Sequence, residues 1–260
     1  AHSYILNPVH PVTVTLIGTG GTGSHVLSSL ARFNAALVAL GHPGLMVTAF
    51  DNDIVTHANL GRQMFSIADL NENKAVTLIS RINRFFGLAW RAVPEHFSSR
   101  TLEDKSIDCP VGNIIISCVD SLQTRKAIRQ IIKGESKIAK NRESYKRPLY
   151  WMDFGNGQNN GQFVLSTLTY GKKKQPGTTA GVNLPDVFDL FPQMKKMKDQ
   201  PDAISCSMHE SLLKQDLFVN SILAQNGVHL LWKLFRETKI NYHGQFINVA
   251  NGKANPIMVS

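Results

Sequence analysis

Residues 14–25 read VTLIGTGGTGSH, and few folds accept that string. Val14 to Ile17 are apolar or β-branched, the signature of a short buried strand. Gly18, Gly20 and Gly23 follow at G-x-G-x-x-G spacing, with an extra Gly21. Glycines there permit a tight turn and a close backbone approach to an anion. The helix that opens behind them offers unpaired N–H groups and the positive end of its dipole. The pattern alone is weak evidence, because dinucleotide-binding dehydrogenases share it.

The next fifty residues narrow the reading. Leu45–Phe50 is a second apolar run that ends in Asp51. A carboxylate at that point of a β-α-β unit usually holds ribose hydroxyls. A dehydrogenase would need little more. This chain continues D-x-D-x-V-x-x-x-N-L-x-R-Q, which places Asp53, Asn59, Arg62 and Gln63 beyond Asp51, with Lys74 after them. The glycine loop already serves the two phosphates of a dinucleotide. A triphosphate under attack would give the additional donors a purpose.

The GxGGxG loop, the D-x-D-x-V-x-x-x-N-L-x-R-Q stretch, Lys74 and Asp120 resemble the ThiF/MoeB adenylyltransferases, which share a core with the ubiquitin-activating enzymes. The resemblance is close over residues 12–125 and looser beyond. In the overall look of its C-terminal half the chain is most similar to the ThiF-related proteins of plasmid-borne ParB-related, ThiF-related cassettes. The resemblance implies ATP and Mg²⁺ as co-substrates, a ubiquitin-like or sulfur-carrier protein as partner, and a homodimer. Three departures stand out. Asp120 is followed by Ser121 where the family has Asn. Residues 1–11 contain no Arg to lend to a partner subunit. The cysteines Cys109, Cys118 and Cys206 form no C-x-x-C pair, so the four-cysteine zinc of many relatives is not expected.

Composition bounds the alternatives. The 260 residues are 43% hydrophobic, enough for a sizeable core. No run approaches the roughly 20 apolar residues of a membrane helix, and the first residues lack a signal-peptide layout. The expectation is a soluble, cytoplasmic protein. The net charge of +9 gathers at residues 133–147 and 172–174 and at Lys195, Lys196 and Lys198. Solvated loops account for such runs; an acidic partner or an approach path for an anionic nucleotide would also use them. Nucleic acid is not expected, since the basic stretches lack interleaved aromatics.

Along the chain, the pattern predicts an extended lead-in at 1–11, a strand at Val12–Ile17, a helix at 24–40 and a strand at Leu45–Phe50. It predicts a helix at 73–86 and strands at 90–97 and 113–118. Asp120 then falls at the carboxyl end of a strand, where open parallel sheets bind ligands. Residues 133–147 read as a basic loop and residues 171–205 as a long loop. Residues 148–154 and 162–168 read as a hairpin. Residues 208–237 read as helix with a possible break at Gly227, and residues 245–250 as the last strand. The fold expected is α/β: one Rossmann-like mixed sheet, parallel in its first half and antiparallel in its second, with helices on both faces. One domain, 1–260, would comprise a nucleotide-binding half (1–132) and a substrate-binding half (133–260).

Chemistry assigns the parts. Residues 18–23 would hold phosphates and Asp51 the ribose. Arg62 and Lys74 would neutralise phosphate and pyrophosphate charge, Asn59 and Gln63 would orient, and Asp120 would carry Mg²⁺. Asp53 would touch nucleotide or pair with a neighbouring Arg. Cys206, near the position of the catalytic Cys in ThiF-like relatives, is the candidate thiol for a thioester or persulfide, with His209 three residues on. The reading is a carboxylate-activating adenylyltransferase. The alternatives are an NAD(P)-dependent oxidoreductase, which leaves Asn59, Arg62 and Lys74 idle, and a silent nucleotide-binding scaffold.

Overall fold

The computed structural model describes residues 1–103, 111–139, 143, 146–168, 183–197, 209 and 214–259. One eight-stranded sheet runs through the molecule in the order β3-β2-β1-β4-β5-β6-β7-β8. Strands β1 (Val12–Ile17), β2 (Leu45–Phe50), β3 (Arg91–Val93), β4 (Ile114–Ser117) and β5 (Tyr150–Asn156) pair in parallel. Strands β6 (Asn160–Thr167), β7 (Tyr242–Asn248) and β8 (Lys253–Met258) continue antiparallel from β5. The expected mixed Rossmann-like sheet is therefore present, and the switch falls at the β5–β6 hairpin.

Both faces are covered. Helices α2 (Gly21–Ala39), α3 (Lys74–Phe86) and α7 (Val219–Glu237) pack on one face through Leu27, Leu30, Leu78, Leu230 and Leu231. Helices α5 (Leu122–Ile138) and α6 (Val187–Leu190) close the other through Ile128, Ile132 and Phe188. Strand β4 shows why its sequence carries no alternation: Ile114 and Ile116 enter the first core and Ile115 the second, all at 1% exposure or less. A strand buried on both faces reads as a continuous apolar run. Each such side chain contributes about 1.5–3 kcal/mol by leaving water. No helix among the described residues is long and apolar enough to cross a membrane.

The structure corrects several boundaries. Residues 3–6 form a short helix, α1 (Ser3–Leu6), rather than an extended lead-in; His2 caps it and Ile5 is fully buried. The strand expected over 90–97 is only β3, because Pro94 has no N–H to extend a ladder. A short helix, α4 (Ser99–Glu103), follows it. Helix α5 carries through residues 133–138, the start of the stretch expected to be loop. Asn113 is no strand residue; its Oδ1 accepts from the Thr13 N–H (3.1 Å) and hydroxyl (2.9 Å) and ties β1 to the entry of β4. Gly227 does not break α7. A Cβ there would lie 2.3 Å from Cζ of Phe154, so glycine lets the helix descend onto that ring. The final strand expected at 245–250 is the first arm of a hairpin completed by β8.

Candidate active site

The carboxyl ends of β1, β2 and β4 deliver Gly18, Asp51 and Asp120 to one edge of the sheet. Gly18 has φ +86°, a left-handed conformation, and a Cβ on it would lie 2.9 Å from the Cys118 carbonyl oxygen. Gly23, inside the first turn of α2, sits so close to the Gly18 carbonyl that a Cβ would stand 1.9 Å from its oxygen. Gly20 is the N-cap residue of α2 and supplies no side-chain cap. The first N–H groups of a helix have no intrahelical acceptors. Such groups are suited to an anion.

The loop is braced by carboxylates. Oδ2 of Asp51 accepts from the Thr19 N–H (2.6 Å) and hydroxyl (2.9 Å), and Oδ1 accepts from the Asp53 N–H (2.9 Å). Asn73 donates to the carbonyls of Asp51 (2.9 Å) and Asp53 (3.1 Å) while its Oδ1 caps α3 through the Val76 N–H. This sets Lys74 at the first position of α3. Lys74 is only 7% exposed, and its Nζ lies 2.9 Å from Oδ2 of Asp53. The partner of Asp53 is thus a lysine and not an arginine.

Asn59 closes a short 3-10 turn, His57–Asn59, in which its Oδ1 accepts from the Thr56 N–H (2.9 Å) and hydroxyl (3.1 Å). That turn launches residues 62–64 across the first turn of α2, where the Met64 N–H donates to Oγ of Ser24 (3.3 Å). Gln63 is buried, with its side-chain amide just under 4 Å from the place of a Cβ on Gly20. Oε1 of Gln63 and Nε of Arg62 are both buried and have no hydrogen-bond partner among the described residues. Burial holds the Arg62 guanidinium below its ordinary pKa. It also holds the His25 imidazole down, opposed by the Arg62 carbonyl.

Asp120 is exposed beyond β4, where its Oδ1 accepts from the Ser121 N–H at 2.8 Å. Ser121 serves as N-cap of α5, its hydroxyl oxygen accepting from the Thr124 N–H at 3.2 Å. No group of three or more His, Cys, Asp or Glu among the described residues could hold a metal. A single exposed carboxylate nonetheless suits Mg²⁺, which usually keeps several waters and takes few protein ligands.

Sequence reasoning did not find the polar layer beneath the site. Nη2 of Arg125 donates to the carbonyls of Val119 and Phe154 (2.9 Å each), and its Nε lies 3.2 Å from Oδ1 of Asp153. Asp153 is 1% exposed; burial pushes its carboxyl up, opposed by Arg125 and by the Ser117 hydroxyl at 2.7 Å. A second network joins Thr22, Asn156, Asn220 and Gln215. Arg125 fits the family pattern after Asp120, but nothing in the spacing announces Asp153, Asn156, Asn220 or Gln215, because their partners lie on other elements. Among the cysteines, Cys118 lies one residue past β4, and burial and then the Asp153 carboxylate push its thiol well up. Cys109 and Cys206 lie outside the described residues.

These features define a Rossmann-like α/β protein with a candidate site at the carboxyl edge of the sheet, where the Gln63 amide lies beside the glycine loop. The family model described as ThiF family matches residues 7–209, and the chain belongs to that family. No curated protein sequence matches it. Solved structures share the fold. PaaA is 14% identical, with a TM-score of 0.59 over 98% of this chain and 65% of its own. E. coli MccB with ATP is 17% identical, with a TM-score of 0.58 over 98% of this chain and 65% of its own. E. coli MccB with AMPCPP and MccA is 17% identical, with a TM-score of 0.58 over 96% and 64%. The chain therefore spans slightly less than two thirds of the length of these proteins.

Proposed function

We propose that this chain is an ATP-dependent adenylyltransferase that activates the C-terminal carboxylate of a ubiquitin-like or sulfur-carrier protein. The observation that carries the reading is a pair beside the glycine loop, Nε of Arg62 and Oε1 of Gln63, both buried and without a hydrogen-bond partner among the described residues. A buried donor without an acceptor costs free energy unless a ligand completes it. An Arg donor next to a helix N-terminus is completed best by phosphate. The glycine loop and Asp51 alone would also serve a dinucleotide. That alternative gives the Arg62 donor and the buried Lys74 no partner in the reaction.

In the reaction, an oxygen of the carrier carboxylate attacks the α-phosphorus of ATP. The bond from that phosphorus to the bridging oxygen breaks, and pyrophosphate leaves with the electron pair. No proton moves. Catalysis rests on position and charge. The Gly18 and Thr19 N–H groups are taken by the Phe50 carbonyl and by Asp51, so the N–H groups of residues 20–23 hold phosphate oxygens, and Asp51, pinned by Thr19, receives a ribose hydroxyl on its remaining lone pairs. Arg62 and Lys74 face the charge that builds on pyrophosphate. Gln63 and Asn59 orient the reacting groups. Asp120 would hold Mg²⁺, whose role is to offset phosphate charge. MccB, which shares the fold, has been crystallised with ATP, which supports ATP as the nucleotide of this chain.

The half from residue 133 onward would hold the carrier, and two copies of the chain would form the working unit. Transfer of the activated carboxyl to the Cys206 thiol rests on the sequence alone. The test is exchange of labelled pyrophosphate into ATP with candidate carriers present. Exchange that requires a carrier supports the reading. Nucleotide binding without exchange indicates a silent scaffold, and tight NAD(P) binding with hydride transfer indicates an oxidoreductase.

A further inference from the structure

We propose that Gln215 is a positioning residue that fixes the Arg62 guanidinium for the pyrophosphate end of ATP; the assignment rests on the adenylyltransferase reading above. Gln215 precedes α7 and is far from the glycine loop in sequence, yet its amide meets Arg62. Its Oε1 accepts from Nη1 of Arg62 and from Nδ2 of Asn220 at 3.0 Å, while its Nε2 donates to the Gly157 carbonyl at 2.9 Å. Two donors face the oxygen and a carbonyl faces the nitrogen, so the partners determine which way the amide lies.

Asn220 extends the chain of bonds. It is fully buried, and its Oδ1 accepts from the Thr22 hydroxyl at 3.0 Å and from Nδ2 of Asn156. A Cβ on Gly21 would stand 2.7 Å from Nδ2 of Asn220, so glycine at this place in the loop also admits the relay. Arg62 is thereby tied through Gln215 and Asn220 to the first turn of α2, the turn that meets the anion. The bond to Gln215 takes Nη1. Nε stays buried without a partner among the described residues, and with Nη2 it forms the fork that meets two oxygens of one phosphate. A long side chain already fixed in place loses less freedom when the ligand arrives. Gln215 touches only protein groups, so it acts through Arg62.

The test uses the full chain with Gln215→Met, which keeps bulk and removes the acceptor, and Gln215→Ala as a parallel variant. Affinities for ATP–Mg²⁺ and for AMP are measured by calorimetry, each also in an Arg62→Ala background. The expected result is about tenfold weaker ATP binding, in line with the loss of a hydrogen bond to a charged group, with AMP binding unchanged. In the Arg62→Ala background the Gln215 substitutions then cost nothing more. Unchanged ATP affinity overturns the assignment. So does an equal loss for ATP and AMP, which would mark a structural residue, or a loss that simply adds to that of Arg62→Ala. Failure of the folded wild-type chain to bind ATP–Mg²⁺ removes the adenylyltransferase reading, and the assignment with it.

Discussion

Lys74 and Asp120 differ in setting yet are assigned to the same developing charge. Lys74 is buried at the head of α3 against Asp53, and Asp120 stands exposed past β4. Truncating Lys74 leaves Asp53 with a side chain 59% exposed, which water can serve. Lys74→Ala and Asp120→Ala are therefore expected to keep their melting behaviour and lose about 100- to 1000-fold in pyrophosphate exchange, the cost of removing one charge-stabilising group. A near-normal exchange rate in either variant removes that residue from the mechanism. A different residue sets the response to acid. His243, 2% exposed, shares a 2.8 Å hydrogen bond with the Leu165 carbonyl, and burial holds its pKa below the ordinary 6.5. The unfolded chain then takes up protons that the folded chain refuses. The resulting stability is present above the unfolded pKa of 6.5 and is lost as pH falls through the lower folded value. The denaturation midpoint should fall as the pH is lowered below about 6.5, and less steeply in His243→Gln. His2 and His25 are shifted the same way and keep the slope from vanishing. At this scale the motif residues were legible because their types recur at fixed spacing along residues 18–74. Asp153, Asn220 and Gln215 were not, because a lone polar residue within a strand or beside a helix carries no sign of its partner.

Elements were legible where one periodicity or one stop signal decided them. Helix α3 has Asn73 as cap and Gly87 at φ +65° to end it, and its expected range needed almost no change. Helix α5 was hidden by charge: Arg125, Lys126, Arg129, Lys133 and Lys137 gave its C-terminal part the look of a solvated loop. Part of that charge is spent inside the molecule. Arg129 lies 2.8 Å from Asp186, Lys133 lies 3.3 Å from it, and Asp189 completes the cluster. Asp186 also caps α6 through the N–H groups of Phe188 (2.9 Å) and Asp189 (3.0 Å). It is 7% exposed, whereas the Asp189 side chain is 45% exposed. Asp186→Ala should thus cost roughly 1–2 kcal/mol, mainly as a lost cap. Asp189→Ala should cost no more than about 0.5 kcal/mol, as exposed pairs do. Hydrogen exchange over residues 187–195 checks this: protection should fall in the first variant and hold in the second. The β7–β8 hairpin had a sign that periodicity missed. Asn251-Gly252 is a strong hairpin dipeptide, and Gly252 does adopt φ +67°.

Over the whole molecule, the two halves of the sheet meet at β5, and the candidate site draws on both. The parallel half supplies the glycine loop, Asp51 and Asp120. The β5–β6 hairpin, where the sheet turns antiparallel, supplies Asn156 and the Gly157 carbonyl, which reach the loop through Asn220 and Gln215. Fold class could be read from the order of the elements. This junction could not, since it exists only once the sheet has closed up. It bears on how the chain should respond to a nucleotide. A ligand that binds only the folded state stabilises it by about 2.7 kcal/mol at a hundred times its dissociation constant. For a chain of this size that corresponds to roughly 5–10 °C in melting temperature. ATP–Mg²⁺ should produce such a rise, and NAD at equal concentration should not. Because the loop, residues 59–64 and the start of α7 are bonded into one network, protection from hydrogen exchange should increase in all three on ATP binding. It should remain unchanged on the far hairpin, β7–β8. A rise with NAD and none with ATP would return the glycine loop to the dehydrogenase reading. Protection confined to residues 18–24 would mean that Arg62 and Gln215 stand apart from the nucleotide.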